Sequence, residues 1–425
     1  MLEIAKLRHA SEDLIERLEK RGIQARRLVQ DALELDRQRR GNQAELDQIQ
    51  ARANAINKEI GQLFKRGQRE AAEAKKEEST QLKTRSKELQ QTQDQLAQAL
   101  QNVLLELPNA PHPSVPAGHS GEDNEEIRRE GSFPDLGADA RPHWELAQEY
   151  QLMDFDLGVK LAGAGFPVYT GAGAQLQRAL VNFFLQENTR AGYREYQPPL
   201  LVNADSAYGT GQLPDKEGQM YHVQQDELYA IPTSEVPLTN IFRDQMLAEA
   251  DLPQRLTAYT PCFRREAGSY GKEVRGLNRL HQFDKVELVQ VVKPDESYQV
   301  LDQMVAQVEA LLQKLELPYR ILRLCGGDLG FTAALTYDFE VWSAGQQRWL
   351  EVSSVSNFET FQAQRMKIRY KTADKQKELV HTLNGSALAL PRIVAALLEN
   401  GQSPEGIQLP AALHPFLPFK TITRS

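Results

Sequence analysis

The chain has two cysteines in 425 residues, Cys262 and Cys325. They are too few for a disulfide framework, and no histidine or second thiol stands at zinc-ligand spacing, His222 and His281 included. Aromatic residues make up only 7% of the chain against 25% charged, which fits a soluble protein with part of its length outside any compact core. No apolar run approaches the roughly 20 residues of a membrane span. No secretory leader pattern opens the sequence, so the chain is expected in the cytoplasm with no membrane partner. Positive charge is in deficit as well, the formal net charge being −8. That argues against indiscriminate coating of nucleic acid, which phosphate neutralisation drives. Any RNA partner must meet a local basic surface. A third glycine is missing where Gly163, Gly165, Gly171 and Gly173 would need one for a dinucleotide fingerprint, and no strand–helix–strand context follows; both pairs are expected to be turns.

What is present begins with a helical arm. Residues 1–22 read as a short cap with one amphipathic helix, LRHASEDLIERLEK. Leu28, Ala32, Leu35, Arg39, Asn42, Leu46, Ile49, Ala53, Ile56, Ile60 and Leu63 then alternate four and three residues apart, a sustained heptad seam. The pattern breaks at KRGQ, residues 65–68, and resumes through Leu82, Leu89, Leu96 and Val103. Two such helices joined by a short reversal predict an antiparallel coiled coil, each helix about 57 Å long at 1.5 Å per residue. Its slight basic excess includes Arg26, Arg27, Lys65, Arg66, Arg69, Lys75 and Lys76. A hairpin of this kind serves as a spacer, a dimerisation device or an RNA grip.

The proline-rich stretch LPNAPHPSVP, residues 107–116, marks a domain boundary. Residues 1–110 are therefore expected to form one domain, 111–140 a linker and 141–425 a second domain of mixed α and β composition. In that second part, QLQRALVNFFLQ at 175–186 reads as an apolar-faced helix, followed by a strand at Leu200, Leu201 and Val202. Residues 260–287 read TPCFRREAGSYGKEVRGLNRLHQFDKVE. Two strand-like arms here flank a loop punctuated by Gly268, Gly271 and Gly276. The arms aim arginine, carboxylate and Phe283 at one place. An arginine fork suits a phosphate and a phenyl face suits a planar base, so a nucleotide is one natural guest. A solvated surface hairpin is the other reading.

Two distant stretches bear on that choice. WLEVSSVSNF, residues 349–358, is a short strand carrying Glu351 and Ser354. TLNGSALALPRIVAALLE, residues 382–399, reads as a turn running into an apolar helix with Arg392 near its start. Together with 260–287 these resemble motifs 2 and 3 of the class II aminoacyl-tRNA synthetases. GTGQLP at 209–214, TSE at 233–235 and NGS at 384–386 resemble the signatures of one family in that class, the bacterial-type seryl-tRNA synthetases. The resemblance runs from end to end and includes the arm.

The resemblance implies an α+β fold: an N-terminal antiparallel two-helix arm, then a catalytic domain with an antiparallel sheet flanked by helices. It implies serine–tRNA ligase activity, with ATP as substrate, Mg²⁺ as cofactor, and tRNA(Ser) gripped by its long variable arm and its acceptor end. Charging of selenocysteine tRNA, where present, would follow. The helix at 175–186 and Pro199 match motif 1, which implies a homodimer. Arg264, Glu266 and Arg392 match the catalytic positions. Thr233, Ser234, Glu235, Arg264, Glu287, Asn384 and Ser386 match the serine site. Arg264, Arg265, Glu266, Phe283, Glu351, Val352, Ser353, Ser354 and Arg392 match the ATP site, with Glu351 and Ser354 on the metal. Departures are Arg265, where the family commonly has serine, and residues 215–219 after the GTGQLP phrase. The alternative is an inactive paralogue or one that loads a carrier protein. Intact motif arginines argue against the first and the arm against the second.

Overall fold

The computed structural model describes residues 1–424 other than 10, 138–139 and 268–274. The chain divides into two compact units, residues 1–19 with 23–108, and residues 20–22 with 109–425.

The first unit is helical. Two short helices, α1 (Ile4–His9) and α2 (Ser11–Glu19), stand where the sequence predicted one. They pack on the base of α3 (Ala25–Lys65), which pairs along its length with α4 (Arg69–Glu106). The reversal falls at the predicted break, with Gly67 at φ 76°. All eleven seam positions of α3 escape full exposure, and Leu46 and Ile56 are buried opposite a partner helix that buries Leu89 and Leu100. Each such leucine or isoleucine contributes about 1.5–3 kcal/mol by leaving water. The polar seam position Asn42 is satisfied across the interface, its amide donating to the Leu89 carbonyl at 2.9 Å and to Gln93 Oε1 at 3.0 Å. A polar group so placed fixes register, since a slip would strand it.

The second unit is built on an eight-stranded sheet. Its strands in chain order are β1 (Glu125–Glu130), β2 (Arg194–Glu195), β3 (Gln254–Phe263), β4 (Gln282–Val292), β5 (Tyr319–Arg323), β6 (Leu335–Ser343), β7 (Arg348–Asn357) and β8 (His381–Ala389). Spatially they run β1-β5-β6-β7-β8-β4-β3-β2, antiparallel throughout except the short β2–β3 pair at one edge. The flanking helices include α5 (His143–Glu149), α6 (Phe155–Ala162), α7 (Gly171–Arg190), α8 (Ser297–Lys314) and α9 (Leu390–Asn400).

Two sequence expectations need correction. The acidic stretch expected as a surface linker contributes β1, an edge strand against β5 whose six residues are all exposed; lacking a buried face, it carries no apolar alternation to betray it. Residues 382–389 are not a turn but β8, in the middle of the sheet. Gly385 there lets the backbone run close to Val355, whose Cγ2 would lie 3.1 Å from an added Cβ. The strand expected at 200–202 is present as Leu201–Asn203 and pairs with Leu228–Ala230 in a separate small sheet, while the shorter β2 before it joins the main sheet. Gly163 and Gly165 do sit in turn-like backbone at φ 106° and 84°, whereas Gly171 and Gly173 open α7.

The two faces of the sheet are sorted by strand periodicity. On β4, Val286, Leu288 and Val292 enter the main core, which α7, α8 and α9 cover. Phe283, Lys285 and Glu287 point toward the opposite face, because side chains alternate with period two, although the Phe283 ring also packs against the main core. Further along that face Val289 and Val291 join a second core with Leu238, Phe242, Ala363 and Met366.

Candidate active site

The site residues collect on this second face. Glu287 of β4 stands in register with Ser386 of β8, and Val289 with Asn384. Glu287 is fully buried, with Oε2 held by two neighbours and Oε1 by one, which leaves Oε1 able to accept a further donor. Asn384 Nδ2 donates to Oε1 at 3.2 Å, Thr233 Oγ1 donates to Oε2 at 3.2 Å, and Lys285 Nζ lies 2.5 Å from Oε2. Lys285 also donates to Thr233 Oγ1 at 2.9 Å, closing a triangle.

Glu235 lies behind this group at the start of the short helix Glu235–Asn240. Burial pushes its carboxyl up to about 7, against a hydrogen bond from Gln362 Nε2 (2.6 Å) that favours ionisation; the Glu287 charge adds to the rise. Gln362 ties the serine-site signature to GTGQLP, because the same amide donates to the Thr210 carbonyl at 3.3 Å. Arg365 on the same helix holds the Leu213 carbonyl at 3.2 Å. Ser234 is buried and its hydroxyl has no hydrogen-bond partner.

Arg264 follows β3 and stacks its guanidinium over Phe283, 5.2 Å from the ring centroid, while Nε donates to the Pro232 carbonyl at 3.3 Å. Its terminal nitrogens remain for a ligand. Glu266, at φ 50°, is ion-paired to Arg279 at 2.5 Å. Arg265 is exposed, and its backbone N–H donates to the Gln219 carbonyl at 2.9 Å. The two departures from the family pattern thus meet: Asp215 accepts from the Gln219 and Met220 amides at 2.9 Å each and shapes that turn. Gly268 and Gly271 of the intervening loop lie outside the described residues.

Glu351 and Ser354 are three apart on β7, a spacing that would place them on opposite faces of a regular strand. A β-bulge changes this. Phe339 pairs with Ser353 and Glu340 with Glu351, so Val352 is the extra residue. Leu350, Val352 and Val355 all reach the main core, and Glu351 and Ser354 are left together on the site face. Val352 therefore has only backbone to offer a ligand there. Ser353 is likewise buried, its hydroxyl donating to the Ser386 carbonyl at 2.6 Å. Arg392 near the start of α9 donates from Nη1 to the Glu351 carbonyl at 2.7 Å and from Nε to the Asn278 carbonyl at 2.9 Å.

Among the described residues no group of three or more His, Cys, Asp or Glu is placed to enclose a metal. The oxygens present still suit a hard cation that shares its shell with phosphates. Asp338 pairs in register with Ser354, and its Oδ1 is buried without a hydrogen-bond donor. Burial and the Glu351 charge push the Asp338 carboxyl well above its ordinary range. A cation would relieve both.

Lys285, Gln362 and Asp338 were not singled out in the sequence. Lys285 had a signal: it interrupts an apolar strand two residues before Glu287, on the same face. A cleft of about 1450 Å³ opens beside Glu266, Arg279 and His281 and runs along residues of α5 and α6; Arg264, Glu287 and Ser386 do not line it.

This fold and site define a class II aminoacyl-tRNA synthetase. Residues 221–401 match the class II core domain shared by the G, H, P, S and T synthetases, and residues 1–111 match the seryl-tRNA synthetase N-terminal domain. A serine–tRNA ligase of Salinibacter ruber is 53% identical over 424 residues, covering 99% of both chains. The seryl-tRNA synthetase of Pyrococcus horikoshii, solved with ATP, superposes with a TM-score of 0.94 at 33% identity over 100% of both chains. The serine–tRNA ligase of Naegleria fowleri, solved with AMP, gives 0.89 at 25% identity, covering 100% of this chain and 99% of that one. The chain belongs to the seryl-tRNA synthetase family.

Proposed function

We propose that the buried set around Glu287 selects L-serine and that Arg264, Phe283 and Arg392 hold ATP beside it, so that the chain makes seryl-adenylate and passes serine to tRNA(Ser). The observation that carries this is Glu287: a buried carboxylate pre-ordered by Thr233, Lys285 and Asn384 and in register with Ser386. A pocket that must hydrogen-bond a hydroxyl rejects alanine, since alanine would leave these polar groups unpaired.

The serine carboxylate attacks the α-phosphorus of ATP and pyrophosphate leaves. A terminal hydroxyl of the tRNA then attacks the seryl carbonyl and AMP leaves. Positioning and charge neutralisation account for most of the catalysis in such transfers. Arg264 bridges the α-phosphate and the serine carboxylate, and its stacking on Phe283 fixes the fork while the other ring face receives adenine. Glu266 accepts from the adenine amino group once its pairing with Arg279 yields. Arg392 meets the γ-phosphate side. Thr233 and Glu235 take the serine ammonium, and Glu287 and Ser386 its hydroxyl. Glu351 and Ser354 would hold Mg²⁺, which neutralises phosphate charge when bound.

The arm's basic residues read the tRNA variable arm through backbone and shape, the mode that suits an RNA helix whose major groove admits no side chain. A homodimer formed through α7 and Pro199 belongs to the same reading. Glu287→Ala tests the pocket: the KM for serine in pyrophosphate exchange is expected to rise far more than the KM for ATP. Equal rises would overturn it.

A further inference from the structure

The return of the site hairpin is held at residues 276–278. His143, the first residue of α5, is completely buried and both of its ring nitrogens are engaged. Nε2 accepts the Leu277 backbone N–H at 2.8 Å. Because Nε2 accepts, Nδ1 carries the proton, which it donates to Glu399 Oε1 at 2.7 Å. Glu399, near the end of α9, also takes the His143 backbone N–H at 2.8 Å, the Gln346 amide at 3.0 Å and the Ser343 hydroxyl. Burial works to raise this carboxyl, and the bonds from His143 and Ser343 outweigh it, leaving Glu399 below its ordinary range.

Two further observations aim this imidazole at the site. Gly276 turns at φ 67° directly against the ring, where an added Cβ would come within 2.2 Å of Nε2, so the chain is fitted to the histidine. Asn278, next to Leu277, gives its carbonyl to Arg392 Nε at 2.9 Å. The segment 276–278 is thus clasped between His143 and Arg392, and α9 carries both Arg392 and the carboxylate that orients His143.

We propose that His143 is a positioning residue for ATP: oriented by Glu399, it fixes 276–278 and so sets Arg392 for the phosphates. This rests on the reading of Arg392 as an ATP contact. The test uses the full chain in serine-dependent pyrophosphate exchange, with Arg392→Ala as reference. His143→Asn keeps a donor toward Glu399 but cannot reach Leu277; His143→Gln can place an acceptor near the Nε2 position. The KM for ATP should rise at least tenfold in H143N with the KM for serine within twofold, and H143Q should recover most of the loss. Gly276→Ala, which pushes on the same contact from the other side, should reproduce the ATP defect and decides the matter if H143N does not fold. An unchanged KM for ATP in the folded variant, or equal rises for both substrates, overturns the proposal. If R392A itself leaves ATP use unchanged, the assignment of Arg392 fails and this inference with it; a defect in R392A alone removes only the role of His143.

Discussion

Lys285 Nζ lies 2.5 Å from Glu287 Oε2, two residues along one strand and on one face, with both side chains buried. Each charge faces the other, and Thr233 and Asn384 complete the set. Removing one partner leaves a buried charge unpaired, which costs about 3–5 kcal/mol. Lys285→Met is therefore expected to lower the unfolding free energy by that amount in urea titrations at pH 7. Replacing both residues, Lys285→Met with Glu287→Leu, should restore most of the stability while abolishing serine use.

Glu235 makes the pocket sensitive to pH. Its carboxyl holds a proton to about 7 in the folded chain, against an ordinary value of 4.5. Between those values the native state binds more protons than the unfolded state, so stability falls as pH rises and levels off above about 7. The fall is of order 3 kcal/mol. Glu235→Gln should flatten that part of the stability curve. The serine ammonium favours the ionised form, so serine binding near pH 6.5 should release a proton, measurable by calorimetry in buffers of different ionisation heat. No proton release would remove Glu235 from the ammonium site.

In the proposed reaction Arg392 would supply charge where the leaving phosphates gather it. Arg392→Ala is expected to reduce the exchange rate by about 10²–10³, the usual loss of one preorganised electrostatic contact. Thermal melting of the apo protein should change little, because the side chain is partly exposed.

Much of this site was legible in the chain because its parts are local. Arg264, Phe283 and Glu287 share one hairpin, and the even spacing of Phe283 and Glu287 along a strand is enough to assign both to one face. The seam of α3 was legible for the same reason: a 3.5-residue period is a statement about one helix. What could not be read depends on pairing between distant strands. The bulge at Val352 is a property of β6 against β7, so the sequence alone does not tell that Glu351 and Ser354 point the same way. The turn-like composition of 384–386 hid a central strand, because Gly385 serves close packing against Val355 and not a reversal. His143 and Glu399 are 256 residues apart, and no local pattern joins them.

The arm can be shortened without touching the site. Arg85 and Glu45 are cross-helix partners at 2.7 Å, so deleting residues 46–84 and closing the gap with glycines truncates α3 and α4 together. Adenylate formation should survive and tRNA charging should collapse. Normal charging by the shortened protein would make the arm a spacer.

The central claim is serine selection by a buried polar pocket, and amino-acid-dependent pyrophosphate exchange across the twenty amino acids tests it most directly. Serine should drive exchange, with alanine and glycine weaker by a factor that can reach about 10⁴–10⁵ for a site built around a hydroxyl. Exchange driven equally by alanine, or by an amino acid other than serine, would contradict the account.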